Sequence, residues 1–154
     1  MKYIPQDTTV TFSEIPDEIS LCINISGCPC RCSDCHSKYL WNDIGEILDY
    51  KTVKTIIEKN SGISCVCFMG GDADPVHIDS LARSIRTDFP DLKIAWYSGR
   101  PQLSPLIDVS DFDYIKIGPY IKECGSIDIE TTNQRLYRID NKKLIDITKK
   151  FWTK

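Results

Sequence analysis

The sequence has no surplus of positive charge. Its 19 Lys and Arg are outnumbered by 22 Asp and Glu, which leaves a formal net charge of -3 and a pI near 5.4. With no basic field and no Lys/Arg cluster, nothing here attracts a phosphate backbone, so nucleic acid is not expected as a direct ligand. Also missing is an apolar run long enough to span a bilayer, so no membrane association is expected. The opening MKYIPQDTTV has neither the basic residues nor the hydrophobic stretch of a secretory leader. A cytoplasmic location is the expectation. Repeats, low-complexity segments and linkers are absent too. A chain of 154 residues, 42% hydrophobic and 27% charged, is therefore expected to form a single domain over 1–154 with a real core.

What the chain has in quantity is cysteine. Four of its eight cysteines fall between Cys28 and Cys35, in the stretch GCPCRCSDCHSKYLW (27–41). In a reducing compartment, closely spaced thiols more often bind metal or take part in catalysis than form disulfides. Cys22, in SLCINIS, and Cys65 and Cys67, in ISCVCFM, lie in apolar alternation and read as small core residues. Cys124, in the loop KECGS, carries no signal.

The hydrophobic pattern outlines the fold. TTVTF and SLCINIS, joined by the turn-like SEIPDE, predict an N-terminal hairpin at about 8–26. YKTVKTIIEKN places Val53, Ile56 and Ile57 at helical spacing, and Asn60 and Gly62 stop that helix. ISCVCFM then reads as a buried strand ending at GGD. HIDSLARSIRTDF sets Ile78, Leu81, Ala82, Ile85 and Phe89 on one helical face. LKIAWYS and DYIKIG supply two more strands, and NKKLIDITKKFW predicts a closing helix at about 141–152. Strands alternating with helices imply an α/β fold with a parallel sheet. The chain falls well short of the roughly 250 residues of a complete eight-fold barrel, so a partial, open β/α barrel is expected. Ligands of such sheets bind at the carboxyl ends of the strands, where both GCPCRCSDC and GGD fall. The two stretches are expected to meet in space.

Within the loop, Cys28, Cys32 and Cys35 form CxxxCxxC, with Cys30 between the first two. Three thiolates on a short loop suit an iron–sulfur cluster with one iron free of protein ligands. A structural zinc site would need four ligands, commonly as two separated pairs. Cys30 or His36 could complete such a set, so a non-catalytic zinc-binding interaction module stands as an alternative from another class. The crowding of cysteines does not give the isolated CxxC of thioredoxin-like redox chemistry.

CxxxCxxC, together with CHSKYLW, MGGDADPVH, YSGR and GPYIKECGSIDIETTNQRLYRI, resembles the radical S-adenosylmethionine (radical SAM) superfamily. Within it, the chain resembles the activating proteins of anaerobic ribonucleoside-triphosphate reductase. These motifs span nearly the whole chain, and TTNQRLY is the most specific of them. The resemblance implies an oxidoreductase with a [4Fe-4S] cluster on Cys28, Cys32 and Cys35, whose open iron binds S-adenosyl-L-methionine. It further implies a 5′-deoxyadenosyl radical that makes a glycyl radical on the large subunit of the reductase. The electron would come from a low-potential donor such as flavodoxin or ferredoxin. Activation of another glycyl radical enzyme, such as pyruvate formate-lyase, is the alternative within the class.

On the same resemblance, Asp34, Cys35 and His36 line the adenine side of the cosubstrate. Gly70, Gly71 and Asp72 meet its methionine part, and Ser98 and Lys116 reach ribose or carboxylate. Plainer readings stand beside these. Gly70 and Gly71 suit a strand-to-helix turn, Asp72 or Asp74 suits a helix cap, and most lysines are solvated. The chain departs from its relatives at Met69 and at Ala73–Asp74, and it adds Cys30.

Overall fold

Two periodicities, two along the strands and 3.6 along the helices, sort the apolar residues of this chain onto the faces of one sheet. The structure is a computed structural model and describes residues 1–152. In chain order the elements are β1 (Lys2–Tyr3), β2 (Thr9–Thr11), β3 (Ser20–Asn24), β4 (Glu46–Ile47), α1 (Tyr50–Lys59) and β5 (Cys65–Met69). There follow α2 (Pro75–Asp88), β6 (Lys93–Tyr97), β7 (Tyr114–Ile117), β8 (Arg135–Asp140) and β9 (Lys143–Asp146). Seven strands make one sheet in the order β2-β3-β5-β6-β7-β8-β9, while β1 and β4 pair separately. β3, β5, β6 and β7 are mutually parallel; β2 at one side and β8 and β9 at the other are antiparallel additions. The sheet is mixed and does not close on itself.

Both helices cover the same face. Val53 and Ile57 of α1 and Ile78, Leu81, Ala82 and Ile85 of α2 pack with Leu21, Ile23, Val66, Phe68, Ile94, Trp96 and Ile115 of the strands. Each helix starts on an aspartate that satisfies a free amide of the first turn. Asp49 accepts from the Thr52 N–H at 2.8 Å, and Asp74 accepts from the His77 N–H at 3.1 Å, with Pro75 in the first turn. Each such cap contributes about 1 kcal/mol. Thus Asp74, and not Asp72, caps the helix after the glycines. The opposite face is lined by Cys22, Cys65, Cys67, Ala95 and Leu136, under Ile15 and Phe151. The core role read for the three strand cysteines matches these positions.

The closing segment departs from the expected helix at about 141–152. Residues 143–146 are the edge strand β9, and only a short 3-10 turn, Thr148–Phe151, follows. The cause is turn chemistry. Asn141 and Lys142, at φ of 49° and 65°, form a two-residue connection between the paired Asp140 and Lys143. Two successive positive φ values are the signature of a type I′ hairpin, whose twist matches its strands. A helix would need both residues at negative φ. Thr148 then fastens the end, its Oγ1 accepting from the Leu136 N–H at 2.9 Å and donating to Asp146 Oδ1 at 2.6 Å.

Lysine at φ of 65° is strained where glycine would not be. Lys142→Gly is expected to stabilise the protein by roughly 1 kcal/mol, raising the melting temperature by about 2–4 °C. An unchanged or lower melting temperature would show that the hairpin does not carry that strain.

Candidate functional site

Parallel pairing brings one row of side chains into line near the carboxyl ends of four strands. Asn24 pairs with Met69, Met69 with Tyr97, and Tyr97 with Lys116. All four line one open cleft of about 200 Å³. Its other walls are Cys28 and Cys35 from the cysteine loop, Gly70 and Asp72 from the turn after β5, Ser98 and Gly99 after β6, and Leu40 and Trp41. The cysteine loop and the GGD turn therefore meet, as the strand-end argument requires.

Asp72 is the fastening at the centre. Its carboxylate is 7% exposed and accepts three hydrogen bonds: from Ser98 Oγ at 2.5 Å, the Gly99 N–H at 2.9 Å and Cys30 Sγ at 3.6 Å. Ser98 is itself buried and accepts from the Arg100 N–H at 3.1 Å. Both residues thus hold the turns after β5 and β6 against the cysteine loop. Cys30 sits closely against Gly99, where a Cβ would come within 2.9 Å of its sulfur.

The two glycines have separate duties. Both hold positive φ, 100° at Gly70 and 93° at Gly71. Gly70 borders the cleft, and its carbonyl accepts from Trp96 Nε1 at 2.8 Å. Gly71 turns the other way. A Cβ there would meet Ile78 Cδ1 at 2.6 Å and Ile25 Cδ1 at 3.3 Å, so its missing side chain makes room for the core. Cys32, Asp34, His36 and Gly71 are not among the cleft-lining residues. Asp34 accepts from Ser33 at 3.0 Å. The His36 ring meets Tyr120 edge-on, with centroids 5.2 Å apart.

The loop is clasped at its base. The Gly27 N–H donates to Asn42 O at 3.0 Å and the Cys28 N–H to Leu40 O at 2.9 Å. Inside it, the Cys35 N–H donates to Cys32 O at 3.1 Å, and the Ser37 N–H donates to Cys35 Sγ at 3.4 Å. The one Cys30 S–H serves either Asp72 or Cys28 at a time; given to Cys28, it outweighs burial and holds that thiol down at about 6. Cys30 goes the other way: donation to Cys28, burial and the charge of Asp72 push its thiol up. Thiolates, not thiols, ligate metal, so the chemistry separates Cys28 from Cys30.

Lys116 is the surprise of the site. Instead of the solvated end common for lysine, it is 9% exposed. Its Nζ donates to Gly118 O at 3.1 Å and lies 5.6 Å from the centroid of the Tyr97 ring. Burial lowers its pKa to about 8, opposed by its neighbours, Cys32 and Asp72 foremost.

The residues fit a cluster by their donor chemistry: four half-buried free thiols on one loop, one held as thiolate and one already receiving a backbone N–H. Among the described residues, no three of His, Cys, Asp and Glu converge as they must around a single ion. The ligands of a cubane sit on different irons and stand farther apart. Residues 19–108 match the model of the family described as the 4Fe-4S single cluster domain. The chain belongs to this family. The matched span holds β3, the whole cysteine loop, both helices, β5 and β6, so the 4Fe-4S single cluster domain contains every cysteine of the loop. An iron–sulfur cluster is accordingly the group that the loop serves. No curated protein and no solved structure matches the chain. No helix among the described residues is long and apolar enough to cross a membrane.

Sequence reasoning missed Asn24, Met69, Tyr97, Leu40 and Trp41 as cleft residues. The signal for the first three was present: each ends its strand, and strand ends in parallel register face one site.

Two outcomes follow from these placements. Gly71→Ala is expected to cost about 2–3 kcal/mol, from its φ and from overlap with Ile78, and to leave the iron content of the folded protein unchanged. Thermal unfolding and iron assay check this, and loss of iron from a fully stable protein would contradict it. For Lys116, the folded pKa of about 8 lies below the ordinary 10.5. Between those values the unfolded chain binds a proton that the folded chain has released, so stability rises with pH across that window. Lys116→Met in the cluster-free, reduced protein is expected to be more stable than the parent at neutral pH. That advantage should shrink by on the order of 3 kcal/mol as pH climbs through the window. A pH-independent difference in urea unfolding would show that burial does not depress Lys116.

Proposed function

We propose that the chain is a radical SAM activase that generates a glycyl radical on the large subunit of an anaerobic ribonucleoside-triphosphate reductase. The observation that carries this reading is that one cleft at the carboxyl ends of the parallel strands is lined by Cys28 and Cys35 together with Gly70, Asp72 and Lys116. On this reading the open mixed sheet, with both helices on one face, is the partial barrel of the radical SAM type. S-adenosyl-L-methionine is the cosubstrate, and a flavodoxin- or ferredoxin-like protein supplies the electron. The family resemblance in TTNQRLY and YSGR supports the choice of reductase.

Cys28, Cys32 and Cys35 would hold three irons, and a [4Fe-4S] cluster bound there supplies the electron that breaks the bond between the sulfonium and the ribose C5′. The other steps belong to the chain. Cys30 remains a thiol, donating to Asp72 and pinning the loop against the turns after β5 and β6. Asp72 is already engaged by a hydroxyl, an amide and a thiol, so its contribution is to position those turns. Gly70 lets the backbone border the cleft closely. Lys116 brings one positive charge into a low-dielectric wall, where it is suited to the carboxylate of the cosubstrate. Met69, Tyr97 and Trp41 give the cleft an apolar lining, which suits a radical reagent.

The test begins with anaerobically purified protein. Iron and sulfide near four each are expected, and one zinc without sulfide would overturn the reading. Cys28→Ala, Cys32→Ala and Cys35→Ala should each lose the cluster and abolish cleavage of S-adenosyl-L-methionine by the dithionite-reduced protein, while Cys30→Ala should keep both. With the reductase large subunit present, electron paramagnetic resonance is expected to show a glycyl radical on that partner. Its appearance only with a pyruvate formate-lyase would transfer the activity to that enzyme.

A further inference from the structure

The chain has three tryptophans, and two of them have a partner for the indole N–H. Trp96 Nε1 donates to Gly70 O at 2.8 Å, and Trp152 Nε1 donates to Ile127 O at 3.1 Å. Trp41 Nε1 is screened from solvent and has no partner. A buried donor left unpaired costs about 1–3 kcal/mol, and such groups are rare enough in folded proteins that each calls for an acceptor. Trp41 is also the tryptophan that stands in the cluster site, since it lines the same cleft as Cys28 and Cys35. The clasp holds it there. Leu40 and Asn42, on either side of it, accept the backbone N–H groups of Cys28 and Gly27, the first two residues of the cysteine loop. Lys38 Nζ lies 5.6 Å from the Trp41 ring centroid, which further restrains the ring.

The acceptor missing from Trp41 is one that an iron–sulfur cluster brings with it. Bridging sulfides and cysteine thiolates accept N–H hydrogen bonds, and those bonds help to set the reduction potential of the cluster. The geometry points to Trp41 as a positioning and tuning residue of the cluster, its indole N–H donating to a sulfur of the bound [4Fe-4S] group. A reduced cluster carries one more negative charge than the oxidised one, so a donor to its sulfurs stabilises the reduced form more. Trp41 therefore raises the potential and eases reduction. This rests on the cluster alone and not on what the cluster acts upon, so a failed activase assay leaves it standing.

The test is Trp41→Phe, which keeps an aromatic ring under Lys38 and removes the donor together with part of the ring. Reconstituted anaerobically, the variant is expected to carry the same iron and sulfide as the parent, with a midpoint potential displaced to more negative values in a titration followed by electron paramagnetic resonance. An unchanged potential at full iron content would overturn the assignment. Should Trp41→Phe fail to hold iron, the parent protein labelled with indole-15N tryptophan decides. Trp96 and Trp152 are committed to carbonyls, so a 15N hyperfine coupling to the reduced cluster would come from Trp41 and is expected. Absence of that coupling would overturn the assignment.

Discussion

Everything in the candidate site depends on the parallel registration of β3, β5, β6 and β7. Parallel strands start at one edge and stop at the other, so the turns that follow them accumulate along a single rim. Here that rim receives the cysteine loop after β3, GGD after β5, Ser98 and Gly99 after β6 and the Gly118 turn after β7. A slip of one residue in any pairing would turn Asn24, Met69, Tyr97 or Lys116 to the helix-covered face and carry a core residue such as Ile23, Phe68, Trp96 or Ile115 into the cleft. The helices matter to function mainly because they return the chain to the starting edge between strands. They also bury one face firmly enough to fix that register.

Asp72 converts this alignment into a joint between two strand ends and the loop. A buried carboxylate with a hydroxyl, an amide and a thiol donating to it cannot release one partner without exposing the charge to a poorly solvated wall. Cys30, the cysteine that the chain adds between Cys28 and Cys32, is the loop's contribution to this joint.

Much of this was legible in the sequence, and the parts that were not share a cause. Core strands and helices announce themselves through periodicity, so Val53, Ile57, Leu81, Ile85 and the alternation of ISCVCFM led to the right elements. The meeting of GCPCRCSDC with GGD followed from topology alone. The closing segment misled because Leu144, Ile145, Thr148 and Phe151 also suit a helix. Two left-handed residues at Asn141 and Lys142 decide otherwise, and neither is the glycine that usually marks such a turn. The burial of Lys116 was invisible because it arises from loops that fold over a strand end. The same holds for Gly71, whose positive φ the GGD motif suggests but whose packing against Ile78 it does not.

The face of the sheet away from the helices is rich in sulfur, with Cys22, Cys65 and Cys67 packed under Ile15 and Phe151. Burial there pushes the thiols of Cys65 and Cys67 up, and none of the three is open to solvent. A protein that must collect iron and sulfide with eight thiols in its chain faces a sorting problem, because any accessible sulfur is a rival nucleation point. The core resolves it by segregation. Three sulfurs are sealed as hydrocarbon-like filler, and the folded chain offers incoming iron chiefly the loop. Fold stability thus acts as a filter on cofactor delivery: a destabilised chain would lose structure and also expose decoy thiols that capture iron in the wrong place.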